Sequence, residues 1–304
     1  MPDEFDYIAR LRSRTPSDPR VPVGPGDDCA VLAPVGGQLL VTTDMLMDGT
    51  DFVLAECGPW RAGRKAMAAN LSDIAAMAGR PVAAVASLGL PRRGGRALAE
   101  ELYQGMRDVA DAFDTALVGG DTNSWDGPLV ISVTVLGEAT GPGPVTRGGA
   151  KPGDWLLATG PFGGSIRGKH LDFTPRVREA LRLHEFAHLH AMIDVSDGLA
   201  ADVGHLCAES GCGAVLRAEA IPVSEDASRM GDALTPLEHA LRDGEDYELV
   251  FAVSPEDGRR LVAAQPVPGV TLAAIGECVE AGLWLEAGGS RRPLEPHGYV
   301  HRLD

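Results

Sequence analysis

The stretch LLVTTD, residues 39–44, runs from Leu39, Leu40 and Val41 through two threonines into Asp44. Its leucine and β-branched content predicts a buried strand that ends on a carboxylate. The same pattern returns in ALVGGD (116–121) and AMID (191–194), which places Asp121 and Asp194 at two further strand ends. Between the first two strands, GRKAMAANLSDIAAMAG (63–79) reads as a helix, because Met67, Leu71, Ile74 and Ala78 recur at helical spacing. Asn70 and Asp73 fall together on another face of it. VAAVASLGL (82–90) is read as a strand, GGRALAEELYQGMRDVADAF (94–113) as a helix and LVISVTVLGEA (129–139) as a strand. Helices and strands that alternate in this way define an α/β or α+β chain.

The 304 residues, 44% hydrophobic, suffice for two domains with sizeable cores. The segment TGPGPVTRGGAKPGD is rich in Gly and Pro, and marks an interdomain linker or ordered loop. We accordingly expect an N-terminal domain over 1–139, a connector over 140–153 and a C-terminal α+β domain over 154–304. The last should hold a strand at WLLATG, a helix near 176–190, the AMID strand, a helix from about 197 to 209, and strands at GAVLR and DYELVFAV (246–253).

A net charge of −16 opposes binding to nucleic acid or to an anionic membrane, since both attract basic surfaces. MPDEFDYIARLRSR lacks the apolar core of a signal peptide, and no window approaches the roughly 18 apolar residues of a membrane span. Five cysteines without a CxxC pair suggest neither a zinc site nor a disulfide framework. A reducing cytoplasm is the expected location.

Two stretches imitate phosphate-binding loops. GGSIRGKH (163–170) satisfies G-x4-G-K, but His170 stands where a hydroxyl should hold Mg²⁺, and Pro175 interrupts the helix that should cradle phosphate. It is read as a glycine-rich turn. GPGDDC (24–29) begins like a dinucleotide fingerprint, yet has Cys29 at the third glycine position and an acidic pair where pyrophosphate would approach.

What remains is a series of short carboxylate motifs: GDD (26–28), TTD (42–44), NLSD (70–73), GGD (119–121), DVSDG (194–198) and GED (244–246). Hard oxygen ligands of this kind suit Mg²⁺, which keeps waters and substrate phosphates as its other ligands. Clustered carboxylates repel one another unless cations intervene, so such a site makes sense when divalent metal and phosphate occupy it together.

GPGDDCAVL, VTTDMLMDGTDF, KAMAANLSDIAAMAG, LVGGDTN, ISVTVLGEA, RGGAKPGDWLLATG, IDVSDGLAADVGHL and GEDYELVF follow one another over residues 24 to 254. In this order and spacing the chain resembles the thiamine-monophosphate kinase family, in the superfamily of aminoimidazole ribonucleotide synthetase and selenophosphate synthetase. The resemblance implies two α/β domains, a homodimer with a β-barrel-like interface made by the N-terminal domains, and ATP bound across it. It also implies transfer of the γ-phosphoryl group of ATP to thiamine monophosphate. By resemblance Asp28, Thr42, Thr43, Asp44, Asp73, Asp121, Asp194 and Asp197 match Mg²⁺ positions, and Asp44, Asp73 and Asp121 carry the transfer. Gly120, Arg147, Ser196 and Tyr103 match nucleotide contacts, and Glu245 matches a substrate contact. A phosphate-monoester acceptor is already anionic near neutral pH, so transfer needs charge neutralisation and in-line placement rather than a protein nucleophile.

Two departures fall where the family grips its acceptor. Asp51 occupies the substrate position usually held by histidine, and Pro296 and His297 precede Gly298 and Tyr299 where an aromatic residue is common. Two alternatives stay open: a kinase or synthetase of the same superfamily with another small acceptor, and a non-catalytic nucleotide- or metal-binding protein.

Overall fold

In the computed structural model, residues 18–21, 32 and 36–299 are described. Asp28 and the rest of the GDD motif lie outside the described residues. The chain forms two compact units, one made of the residues up to Ile74 and of Arg80–Ala139, the other of Ala75–Gly79 and the chain from Thr140 onward.

The first unit holds β1 (Leu39–Met47), α1 (Leu54–Ala76), β2 (Gly79–Pro91), α2 (Gly95–Ala112), β3 (Ala116–Trp125) and β4 (Val130–Ala139). Its sheet runs in the order β1-β4-β2-β3, with β1 antiparallel to β4 and β2 parallel to β3. α1 starts earlier than the apolar spacing predicts: it bends at Gly58 (φ 75°), just before Pro59, and continues. It stops at Ala76 rather than residue 79, because Ala78 turns left-handed (φ 51°) and leads directly into β2. α2 buries Ala99, Leu102, Tyr103, Met106, Val109 and Ala110, a stripe at the helical period.

The strand-end expectation is corrected for two of the three aspartates. Asp44 is the sixth residue of the nine in β1, and Asp121 the sixth of the ten in β3. Only Asp194 ends its strand. The sequence turns polar after Asp121 and apolar again, as Met45, Leu46 and Met47, after Asp44, and in both places the backbone ladder continues: Asp44 pairs with Val133 and Asp121 with Ser87. Strands continue wherever a neighbour satisfies their backbone, even with polar side chains.

The second unit contains β5 (Trp155–Ala158), α3 (Lys169–Asp172), α4 (Val177–Phe186), β6 (Leu189–Asp194), α5 (Leu199–Ser210), β7 (Gly213–Arg217), α6 (Pro236–Arg242), β8 (Leu249–Val253), α7 (Pro255–Ala264), β9 (Ala273–Val279), β10 (Leu283–Ala287) and β11 (Ser290–Pro293). Its seven-stranded sheet has the order β11-β10-β7-β9-β5-β8-β6, antiparallel except for β10 beside β7. Its core joins Leu156, Ile193, Leu199, Val203, Leu206, Leu216 and Val250, all fully buried or nearly so. The Gly/Pro-rich segment after residue 140 is an ordered loop of this unit. Val145 N–H donates to Met77 O, Thr146 O accepts from Met192 N–H, and Ala150 joins the core. Among the described residues no helix is long and apolar enough to cross a membrane.

Candidate functional site

Strand alternation sorts the TTD motif. Thr42 and Asp44 share the face of β1 that buries Leu40 and Leu46, and Thr42 Oγ1 donates to Asp73 Oδ2 on α1. The structure thus brings Thr42, Asp44 and Asp73 to one side of the sheet. Thr43 points to the other side, where its hydroxyl donates to Val133 O (3.1 Å) and accepts from Thr134 Oγ1 (2.9 Å). Its side chain is not part of that group.

Asp121 stands apart from them. β1 and β3 are the two outer strands, so three strand spacings, about 14 Å, separate Asp44 from Asp121 across the sheet. Asp121 is exposed, and a bulge in the β2–β3 pairing leaves Val118 as the extra residue shortly before it. Gly120 is required by packing: a Cβ there would lie 1.9 Å from Ala86 O. Backbone of β2 therefore passes directly over the residue before Asp121.

Two other assignments in this unit meet their surroundings. Tyr103 is buried on α2, with its hydroxyl accepting from Arg107 Nη1 (3.3 Å). Asp51 turns its carboxylate back onto the chain, accepting Met47 N–H at 2.6 Å, and its carbonyl accepts from the fully buried Lys65 Nζ (2.5 Å).

In the second unit two loops are bonded side by side. Glu245 N–H donates to Ser196 O (2.7 Å), and Tyr247 N–H to Val195 O (2.8 Å). Gly244, at φ 73°, has no room for a Cβ, which would lie 2.6 Å from Ser196 O. This joins Asp194, Ser196 and Asp197 to Glu245. Tyr299 N–H donates to Asp197 O (3.0 Å), which brings the near-terminal Gly-Tyr to the same loop.

The sequence reading missed two members of this group. Asp202, 2% exposed in the first turn of α5, accepts Asp197 N–H and Gly198 N–H on Oδ2 (3.0 and 3.1 Å). Oxygen and nitrogen donors of Asp197, Asp202 and His205 lie within 4.8 Å of one another, a set that could hold a divalent cation. The signal available was DVSDGLAADVGH, where Asp202 and His205 are three apart on one helix face. Burial, then the charges of Asp194 and Asp197, push the Asp202 carboxyl up to about 8, against the pull of the two N–H groups. A cation placed beside it would favour ionisation, so Mg²⁺ binding at pH 7 is expected to release close to one proton. Affinity should rise with pH toward 8. Mg²⁺ titrations in buffers of different ionisation enthalpy measure the proton count, and Asp202→Asn should remove it.

Arg147 is exposed, and its loop is pinned: Ser210 Oγ donates to Arg147 O (3.0 Å) and accepts from Gly149 N–H and Ala150 N–H. The phosphate-loop lookalike is already occupied by protein carboxylates. Gly163 N–H donates to Asp246, Gly164 N–H to Asp243 (2.6 Å), and Lys169 Nζ lies 3.0 Å from Glu248. The segment is a short 3₁₀ turn followed by four helical residues, as a glycine-rich turn requires.

Two carboxylate groups, each set on a rigid sheet-and-helix framework, define the class. Residues 26–139 match the N-terminal domain, and residues 149–283 the C-terminal domain, of AIR synthase related proteins. A curated thiamine-monophosphate kinase of Rhodopirellula baltica is 41% identical over 98% of this chain and 97% of that protein. The crystal structure of thiamine-monophosphate kinase from Stenotrophomonas maltophilia K279a superposes with a TM-score of 0.82 at 34% identity, covering 94% of this chain and 96% of that one. A second solved structure, AaThiL complexed with AMPPCP and TMP, has a TM-score of 0.76 at 28% identity over 98% and 97% of the two chains. The chain belongs to the thiamine-monophosphate kinase family.

Proposed function

We propose that this protein transfers the γ-phosphoryl group of ATP to thiamine monophosphate, giving thiamine diphosphate and ADP, with Mg²⁺ held by its carboxylates. The observation that carries this reading is the end-to-end similarity to a thiamine-monophosphate kinase, 41% identical over 98% of the chain. The geometry supports it. Each unit carries hard oxygen ligands of the kind that metal-bridged phosphates need: Thr42, Asp44 and Asp73 on one, and Asp194, Asp197 and Asp202 on the other. Bound Mg²⁺ would neutralise charge on the transferring group. Asp28 and Asp121 join the proposed Mg²⁺ ligands, Thr43 through its backbone oxygen since its side chain faces away. Gly120, Arg147, Ser196 and Tyr103 are assigned to the nucleotide, Arg147 offering a planar fork to phosphate oxygens. Glu245 and the turn at Asp51 are assigned to the acceptor.

The acceptor phosphate itself attacks in line, so no phosphorylated protein forms. Transfer from ATP chiral at the γ-phosphorus tests this: inversion is expected, and retention or a trapped phosphoenzyme would refute it.

The active form is proposed to be a homodimer in the cytoplasm. Leu39, Val41, Met45 and Met47 stand exposed on one face of the edge strand β1, an arrangement that a solitary protein ordinarily avoids. The placement of Asp44 and Asp121 on opposite edges likewise supports a site completed by a second copy. Sedimentation should give a dimer for the wild type and a monomer for Val41→Glu combined with Met45→Glu.

A further inference from the structure

The loop 243–248 is gripped residue by residue by the segment 163–173. Gly164 N–H bonds Asp243, Ser165 Oγ donates to Gly244 O (2.7 Å), and Gly163 N–H bonds Asp246. Lys169 Nζ meets Glu248 at 3.0 Å, Phe173 stacks on Tyr247 at 3.9 Å between centroids, and His170 Nδ1 lies 3.4 Å from Glu245 Oε2. Three of the loop's four carboxylates are turned inward by these contacts, with side-chain exposures of 17% for Asp243, 1% for Asp246 and 2% for Glu248. Glu245 is different: it adopts φ 52°, and its side chain stays 32% exposed. Behind it sits His170, itself only 8% exposed.

A left-handed backbone at a non-glycine residue costs free energy and persists only where the surroundings enforce it. Here the enforcing contacts are Glu245 N–H on Ser196 O and those that segment 163–173 makes with the loop, and their joint effect is to leave the Glu245 carboxylate partly exposed beside the DVSDG loop. A carboxylate repels a phosphate and attracts a cation or an N–H donor. Thiamine monophosphate carries a cationic thiazolium and an aminopyrimidine in addition to its phosphate.

We infer that His170 is a positioning residue that aims the Glu245 carboxylate at the cationic, N–H-bearing part of the acceptor. The inference rests on the proposed kinase reading. It adds a residue of the glycine-rich segment 163–170 to acceptor recognition, and it makes that recognition depend on the Nδ1 edge of the ring. Asn places an amide nitrogen close to the position of Nδ1, whereas Gln places it near Nε2.

The experiment is steady-state kinetics of the full-length wild type and of His170→Ala, His170→Asn and His170→Gln with thiamine monophosphate and ATP, with thermal melts to identify any unfolded variant. His170→Ala should raise the KM for thiamine monophosphate at least tenfold, while kcat and the KM for ATP stay within about twofold. His170→Asn should restore most of the loss, and His170→Gln should not. In Glu245→Gln, adding His170→Ala should change the acceptor KM no further. An unchanged acceptor KM in a folded His170→Ala, an equal rise in both KM values, or rescue by Gln rather than Asn would overturn the inference and leave the kinase reading intact. A wild type that does not turn over thiamine monophosphate would overturn both.

Discussion

Asp73→Asn is expected to lower kcat/KM for phosphoryl transfer by about 10²–10³-fold, the range that follows loss of one preorganised electrostatic contact to a transferring group. Asp73 is the point at which α1 meets the TTD strand, through the hydroxyl of Thr42. An amide keeps the shape and most of the hydrogen bonding, but not the charge that a divalent cation requires. Thr42→Val should do less, because it removes a neutral oxygen and the donor that orients Asp73 but leaves the Asp73 charge in place. Thr43→Val should leave turnover close to wild type, since that side chain lies on the other face of β1. Steady-state kinetics of the three variants at saturating Mg²⁺, with melting curves to verify folding, check the order. A folded Asp73→Asn with wild-type turnover would exclude Asp73 from the transfer step.

Arg176→Leu carries the largest expected cost in stability. Arg176 Nε and Nη2 hold both oxygens of Glu248 at 2.8 Å, and Glu248 is 1% exposed. Thr159 Oγ1 also donates to Glu248 (2.8 Å). Removing one partner of a buried pair leaves the other charge uncompensated, at a cost of about 3–5 kcal/mol. Lys169 remains beside Glu248, which places the expected loss near the lower end, about 3 kcal/mol. Denaturant unfolding of the two proteins measures it. Replacing Arg176 and Glu248 together by Leu and Gln should recover part of the loss, because the stranded charge is then gone. A change under 1 kcal/mol for Arg176→Leu would show that the pair contributes little.

Much of the architecture was legible in the sequence because it rests on local signals. The stripe of Ala99, Leu102, Met106 and Val109 specifies α2, and the apolar runs at 82–90, 129–139 and 155–158 became β2, β4 and β5. The boundaries that failed depend on single backbone conformations. Ala78 cut α1 short, and Tyr247, at φ 50°, keeps 246–248 out of β8 although DYELVFAV reads as a strand throughout. Sheet order was not legible, since pairing of β1 with β4 and of β2 with β3 joins segments far apart in sequence. For that reason the separation of Asp44 from Asp121 could not be foreseen from two similar motifs. Asp202 escaped notice because its sequence signal, a histidine three residues further along the same helix, is weak by itself; the N–H groups of Asp197 and Gly198 that converge on it are visible only in the structure.

The most direct measurement incubates the purified protein with ATP, Mg²⁺ and thiamine monophosphate and resolves the thiamine products by chromatography, with and without chelator. Thiamine diphosphate is expected to appear one-for-one with ADP, and both should vanish when Mg²⁺ is removed. ADP formed without thiamine diphosphate, or no turnover of thiamine monophosphate with ATP and Mg²⁺ in excess, would contradict the proposed reaction.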